Sequence, residues 1–150
     1  MWDGIFGAVN LIALVAWIGL ILLPRWPTLL TFILYLGVGL LCAIYAVFLV
    51  SIVGGWIDPV GPADTAANFS TIEGVRGIFL SDGGVTVGWT HYLAFDLFVG
   101  LWIAKDADAK GFNRIVQAPI LLATFLAGPI GLLVWLIVRE KRARQAGRAR

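Results

Sequence analysis

Asp96 and His91 stand inside a stretch, Val87 to Ala104, that is otherwise apolar, aromatic or small. A carboxylate at the centre of a bilayer costs about 2.5–3.5 kcal/mol on insertion scales, so such groups face a bundle interior or a wet cavity and have a partner there. A carboxyl and an imidazole are side chains suited to moving protons at a reacting bond. Five residues separate them, about 7.5 Å along a helix and about 140° around it, so they flank a cavity rather than pair directly. Tyr92 lies one turn from Asp96 and Trp89 two turns back, forming one stripe with it. His91, Phe95, Phe98 and Trp102 form a second, aromatic stripe that suits a flat or polyene ligand. Packing against lipid or core is the ordinary reading of such a stripe. The ordinary reading of Asp96 is an interhelical hydrogen bond to Asn10, but such bonds average about 0.6 kcal/mol. That is less than the insertion cost, which favours a functional Asp96.

Asn68, Glu73 and Arg76, with Asp58, are secondary binding candidates in the polar middle of the chain. Glu73 and Arg76 are three apart and would pair on a helix. Tyr35, Tyr45 and Ser51 offer hydroxyl groups. One histidine and one cysteine exclude a multi-histidine iron site or a His/Cys zinc site within one chain. Cys42, in an apolar run, reads as packing. No Gly-x-Ser-x-Gly elbow and no Walker or Rossmann glycine pattern occurs.

The elements that position these residues follow from composition. Of 150 residues, 60% are hydrophobic and 13% charged, where a soluble domain carries about 25% charged. Mean hydropathy is +0.92, so the solvent is a lipid bilayer. Four apolar runs, at about 5–23, 28–53, 87–104 and 118–138, each approach the roughly 20 residues a crossing helix needs. The fold expected is all-α: a polytopic membrane protein of four transmembrane helices, with a short helix in the long loop between the second and third. Domain 1–138 is then the membrane bundle, and 139–150 a basic cytoplasmic tail. The first run lacks a basic flank and a small-residue cleavage site and reads as a retained span. Pro24-Arg25-Trp26-Pro27 makes a tight connection. Ser70-Thr71-Ile72-Glu73 reads as a capping box opening a helix over about 71–80, while Gly54-Gly55 and Gly83-Gly84 punctuate the loop around it. Gly128-Pro129 should kink the fourth span. With four spans, the six tail cations and Arg76 share one side, and Arg25, Lys105, Lys110 and Arg114 the other. Seven against four puts both termini in the cytoplasm, in what reads as a bacterial inner membrane. A nucleic-acid role for the tail lacks interleaved aromatics.

Trp89-Thr90-His91-Tyr92-Leu93-Ala94-Phe95-Asp96-Leu97-Phe98 resembles the signature of the neoxanthin-synthase-like family, named after a plant mutant deficient in abscisic acid. Gly128-Pro129-Ile130-Gly131 is similar to that family's Pro-Val-Gly element in the last span. The resemblance covers the layout of most of the chain, and its motifs lie in spans three and four. It implies carotenoid metabolism: plant members are needed to convert violaxanthin to neoxanthin, an isomerisation. An epoxide opens while an adjacent carbon loses a proton, leaving an allene and a hydroxyl. No redox cofactor is required, and none is expected here. The resemblance makes Asp96 and His91 the acid/base pair, in an order it leaves open. The basic tail and acidic middle loop depart from the plant pattern, which makes this a bacterial relative and puts neoxanthin itself in doubt as product.

Two readings from other classes compete. One is a lipid or pigment binder, or an accessory subunit of a membrane complex, marked by a filled core with Asp96 bonded to Asn10. The other is a proton- or ion-coupled carrier, working as a homo-oligomer, with Asp96 as the proton site. A cavity reaching Asp96 from the lipid side marks the isomerase.

Overall fold

A computed structural model describes residues 1–23, 25–57 and 68–148, side chains at 141, 143 and 145–148 excepted. Asp58, Asp64, Pro59, Pro62 and Pro24 lie outside the described residues. The described chain is all helical. α1 is Trp2–Leu22. α2 (Pro27–Phe32), a π-helical stretch (Ile33–Gly39) and α3 (Leu40–Val53) form one continuous second rod. α4 is Ile72–Ile78, α5 is Asp82–Ala109, α6 is Arg114–Leu126 and α7 is Gly128–Arg148. Three helices are long and apolar enough to cross a membrane: Trp2–Leu22, Pro27–Val53 and Asp82–Ala109. A helix bonds every interior amide to its own chain, which is why an apolar run of this length folds so in hydrocarbon. Pro27 opens the second rod at a position where its missing N–H costs nothing.

These three pack where side chains are small, because lipid supplies no hydrophobic drive between helices and close approach must. A Cβ on Gly100 of α5 would come within 2.7 Å of the Trp17 ring of α1. A Cβ on Gly37, in the π-helical stretch, would stand 3.0 Å from Leu97 of α5 and 3.3 Å from Ala16 of α1. Trp17 is buried at this crossing and meets Phe125 of α6 edge-on, with centroids 5.6 Å apart.

The fourth apolar run does not cross. At Ala127 the backbone leaves the helical region (φ −158°, ψ 81°), and α7 returns along α6. Gly131 lies beside Thr124, since a Cβ there would be 2.5 Å from the Thr124 Cα. Further along, the Trp135 and Phe112 rings meet at 5.0 Å, Arg139 bonds Asp106, and Arg142 donates to the Gly111 carbonyl at 2.7 Å. The neighbours of α7 thus move back to the end of the bundle where α6 began. Thirteen residues of α6 reach about 20 Å, short of the roughly 30 Å hydrocarbon core. The expected four spans are therefore corrected to three plus a helical hairpin that enters from one face and returns to it. Gly128-Pro129 begins a new helix rather than kinking an old one. The Ile130 and Gly131 amides turn back onto the Ala127 carbonyl, at 2.9 and 3.2 Å, and Pro129 takes a first-turn place that needs no N–H.

In the bundle α1 starts at one end and the later part of α7, at Arg139 and Arg142, lies at the other. α7 runs on through Arg148, past the expected boundary at 138. The cations then sort sharply: Arg76 alone belongs to the loop at the α1-start end, and the other ten belong to the 24–26 connection or to the chain from Lys105 onward. In a Cys42→Ser background, Asp3→Cys and Arg144→Cys should react with an impermeant maleimide from opposite sides of sealed vesicles. Labelling of both from one side would restore four spans.

The middle loop also differs in detail. Thr71, not Ser70, caps α4, its hydroxyl accepting from the Gly74 amide at 3.0 Å. Gly83 and Gly84 lie inside α5, which starts after Ser81, whose hydroxyl accepts from the Gly84 amide. Gly84 has no side chain because the Ile78 carbonyl group fills that space. Cys42 is exposed on the outer face rather than packed.

Candidate functional site

Two constellations hold the hairpin, one at its base and one at its tip. At the base, Arg25 is almost wholly buried and gathers four acceptors. It donates to the Leu20 and Ala104 carbonyls, to Asp108 at 2.9 Å and to the Gln117 side-chain carbonyl. Gln117, fully buried in α6, donates in turn to Asp108 (2.9 Å) and to the Phe112 carbonyl (2.8 Å). Burial lowers the Arg25 pKa from its ordinary value, against the pull of the bond to Asp108; an arginine stays charged regardless. Asp106 of α5 receives Lys110, Arg139 and the Trp135 indole N–H, and Arg139 also lies 5.4 Å over the Trp102 ring. None of Asp106, Asp108 or Gln117 was singled out from the sequence. The sign that could have found them is the unusual concentration of charge at 105–114 facing an equally charged 139–144.

At the tip stands Asp96. It lies midway along α5, half-buried, with its carboxylate packed against the Gly128 backbone. The two are so close that a Cβ on Gly128 would overlap the carboxylate, 2.5 Å from its Cγ. Glycine is needed here for close approach. The first amides of α7 carry the positive end of its dipole, which favours an anion there. A half-helix start aimed at a charge near the bilayer midplane lets irregular backbone exist at that depth.

The hairpin covers the α5 face only from Asp96 towards the basic end. On the other half of that face, Trp89 and Tyr92 are exposed (43% and 57%). Trp89 is not free to swing: its indole N–H donates to Asn10 of α1 at 3.0 Å, and its ring stacks on Phe6 with centroids 6.1 Å apart. Asn10 also donates to the Phe6 carbonyl at 2.7 Å. In place of the expected Asp96–Asn10 bond, Asn10 accepts from Trp89 and Asp96 packs against Gly128. Asp96, Tyr92 and Trp89 do form one stripe, and beyond the hairpin tip its two rings are exposed on the outer face of the bundle.

His91 does not join Asp96. Its ring meets Phe95 at 4.6 Å and Tyr45 of α3 at 5.5 Å, around the far edge of the same exposed face, where Phe98 is also half-exposed. Tyr35 points outward (67% exposed), and Ser51 bonds its own helix at Val47. Asn68 accepts from the Ser70 and Thr71 amides and helps start α4. Glu73 and Arg76 are exposed and make no ion pair with each other. Two outer grooves, one between α1 and α6 and one between α1 and the second rod, are lined by apolar residues and include neither Asp96 nor His91. No group of three or more metal-ligating side chains occurs among the described residues.

The family model described as ABA DEFICIENT 4-like matches residues 4–135, nearly the whole membrane portion, and the chain belongs to that ABA4-like family. No curated protein matches, and no solved structure does.

Proposed function

From that membership we propose that the chain is an intramembrane acid/base catalyst that isomerises a carotenoid or related isoprenoid, with Asp96 as the proton-transferring group. The observation carrying the proposal is the carboxylate held against Gly128 at the hairpin tip, midway along α5, beside the exposed rings of Tyr92 and Trp89. The ligand's polyene would lie along Trp89 and Tyr92, whose flat faces match it. Its reacting end would sit over Asp96 and the Gly128 amide. In an epoxide-opening isomerisation, one proton leaves carbon and one arrives at oxygen, so atoms balance without a redox partner. Asp96 takes part in that exchange at its carboxylate oxygens. His91, on the far edge, contacts the ligand or the neighbouring span and carries no proton step. The ten-to-one sorting of cations supports a topology with the basic end, and so the carboxyl terminus, in the cytoplasm.

The test is expression in a carotenoid-producing host, with pigments and isoprenoids profiled by chromatography and mass spectrometry. An isomerised product should appear, fall by at least about 100-fold in Asp96→Asn, as loss of a general acid or base does, and fall likewise in Gly128→Ala. His91→Gln should retain product within a few-fold. Pigment bound equally by wild type and Asp96→Asn, with no new product, would instead make the chain a binder and Asp96 a structural group.

A further inference from the structure

We propose a second site, for an anionic phospholipid, in the outer groove between α1 and α6, with Arg114 at its mouth. The groove measures about 540 Å³ and is walled by apolar side chains, among them Leu14, Ile18 and Ile21 of α1 and Ala118, Leu122 and Phe125 of α6. From Leu14 to Ile21 it runs about 10 Å along the helix, room for the upper part of one acyl chain. Bulk lipid would cover any such surface. What distinguishes this groove is the cation at its end.

Arg114 lies one turn before Ala118 and two before Leu122, on the α6 face that lines the groove. Its Nη2 donates to the Leu23 carbonyl at 2.6 Å and the Ile21 carbonyl at 3.3 Å, capping the end of α1. A guanidinium has five N–H donors, and Nε and Nη1 are left uncommitted. No carboxylate among the described residues pairs with it: Asp108, the nearby acid, is held by Arg25 and Gln117. Arg25 in fact repels Arg114. The mouth therefore carries a net positive charge, fixed in position by two carbonyls, at headgroup level on the basic face. A phosphate diester supplies what it lacks, two acceptor oxygens and one negative charge, in a geometry guanidinium recognises. Basic pockets between spans on such a face bind acidic headgroups.

The full-length chain, purified in dodecyl maltoside, would be incubated with equal amounts of phosphatidylglycerol and phosphatidylcholine of matched acyl chains. Retained lipid would be counted by native mass spectrometry. Phosphatidylglycerol should be retained about fivefold over phosphatidylcholine, and Arg114→Gln should bring the ratio near one. Because Arg114 also caps α1, Leu122→Trp provides a second route: it fills the half-exposed wall of the groove, leaves the cation in place, and should abolish the preference. A ratio near one in the wild type, or a preference that survives Leu122→Trp, would overturn the site. So would displacement by glycerol phosphate as effective as by the intact lipid, which would mean a free-phosphate contact without the groove.

Discussion

Gly131→Ala is expected to unseat the hairpin. The added methyl has nowhere to go, because Thr124 presents its main-chain Cα at 2.5 Å and its hydroxyl closer still. Backbone cannot rotate away as a side chain can, so α6 and α7 must separate. Overpacking of a tight contact costs about 1–3 kcal/mol and occasionally more, and this contact belongs at the upper end. The proper comparison is Gly7→Ala on α1, where no atom lies within 4 Å of the new methyl and the helix gains propensity. Thermal unfolding in detergent, followed by size-exclusion fluorescence, should show Gly131→Ala well below wild type and Gly7→Ala at or above it. Equal midpoints would mean that α6 and α7 do not pack in this register.

Arg25→Met should be comparably damaging, for an electrostatic reason. It strips the cation from Asp108 and leaves Gln117 and two carbonyls with a donor missing. Breaking a buried pair by removing one partner costs about 3–5 kcal/mol. Asp108 is 40% exposed, so water recovers part of this and about 3 kcal/mol is the expected loss. The double variant Arg25→Met/Asp108→Leu removes both charges and should regain part of the stability, since the cost lies in the stranded anion. A double variant as unstable as the single one would place the cost in the lost carbonyl contacts instead.

The three spans were legible in the sequence because length and hydropathy alone specify a crossing helix. The runs at 5–23 and 28–53 differ from α1 and the second rod by a few residues. α5 is longer than its apolar run at both ends, because Ser81 caps it early and the polar Lys105–Ala109 stays helical above the interface. The hairpin was not legible for a local reason. Apolar residues followed by Gly-Pro look the same whether a helix bends there or a new one begins. The deciding contacts, Trp135 and Arg139 to Asp106, join residues 29 and 33 positions apart, beyond any helical spacing. One global signal was present: reversing α7 turns a seven-to-four division of cations into ten to one. For the site, the polarity of Asp96 and the stripe with Tyr92 and Trp89 could be read from spacing, whereas its partner could not. Asn10 had the right chemistry but lies at the level of Trp89, about two turns away along α5.

The hairpin also constrains how the protein is made. A span can enter the bilayer alone, because its backbone is satisfied within itself. The turn at Ala127 cannot. Its Gly128 backbone packs directly on the Asp96 carboxylate, and that surface exists only once α5 is in place. Biogenesis therefore has an order: α1, the second rod and α5 insert as independent units, and the last 35 or so residues fold against them afterwards, as a post-insertion step. Until then Asp96 lies on an uncovered helix face. A chain interrupted before residue 114 would be a three-span intermediate bearing that carboxyl group unshielded, a feature by which membrane quality control would distinguish unfinished molecules from complete ones.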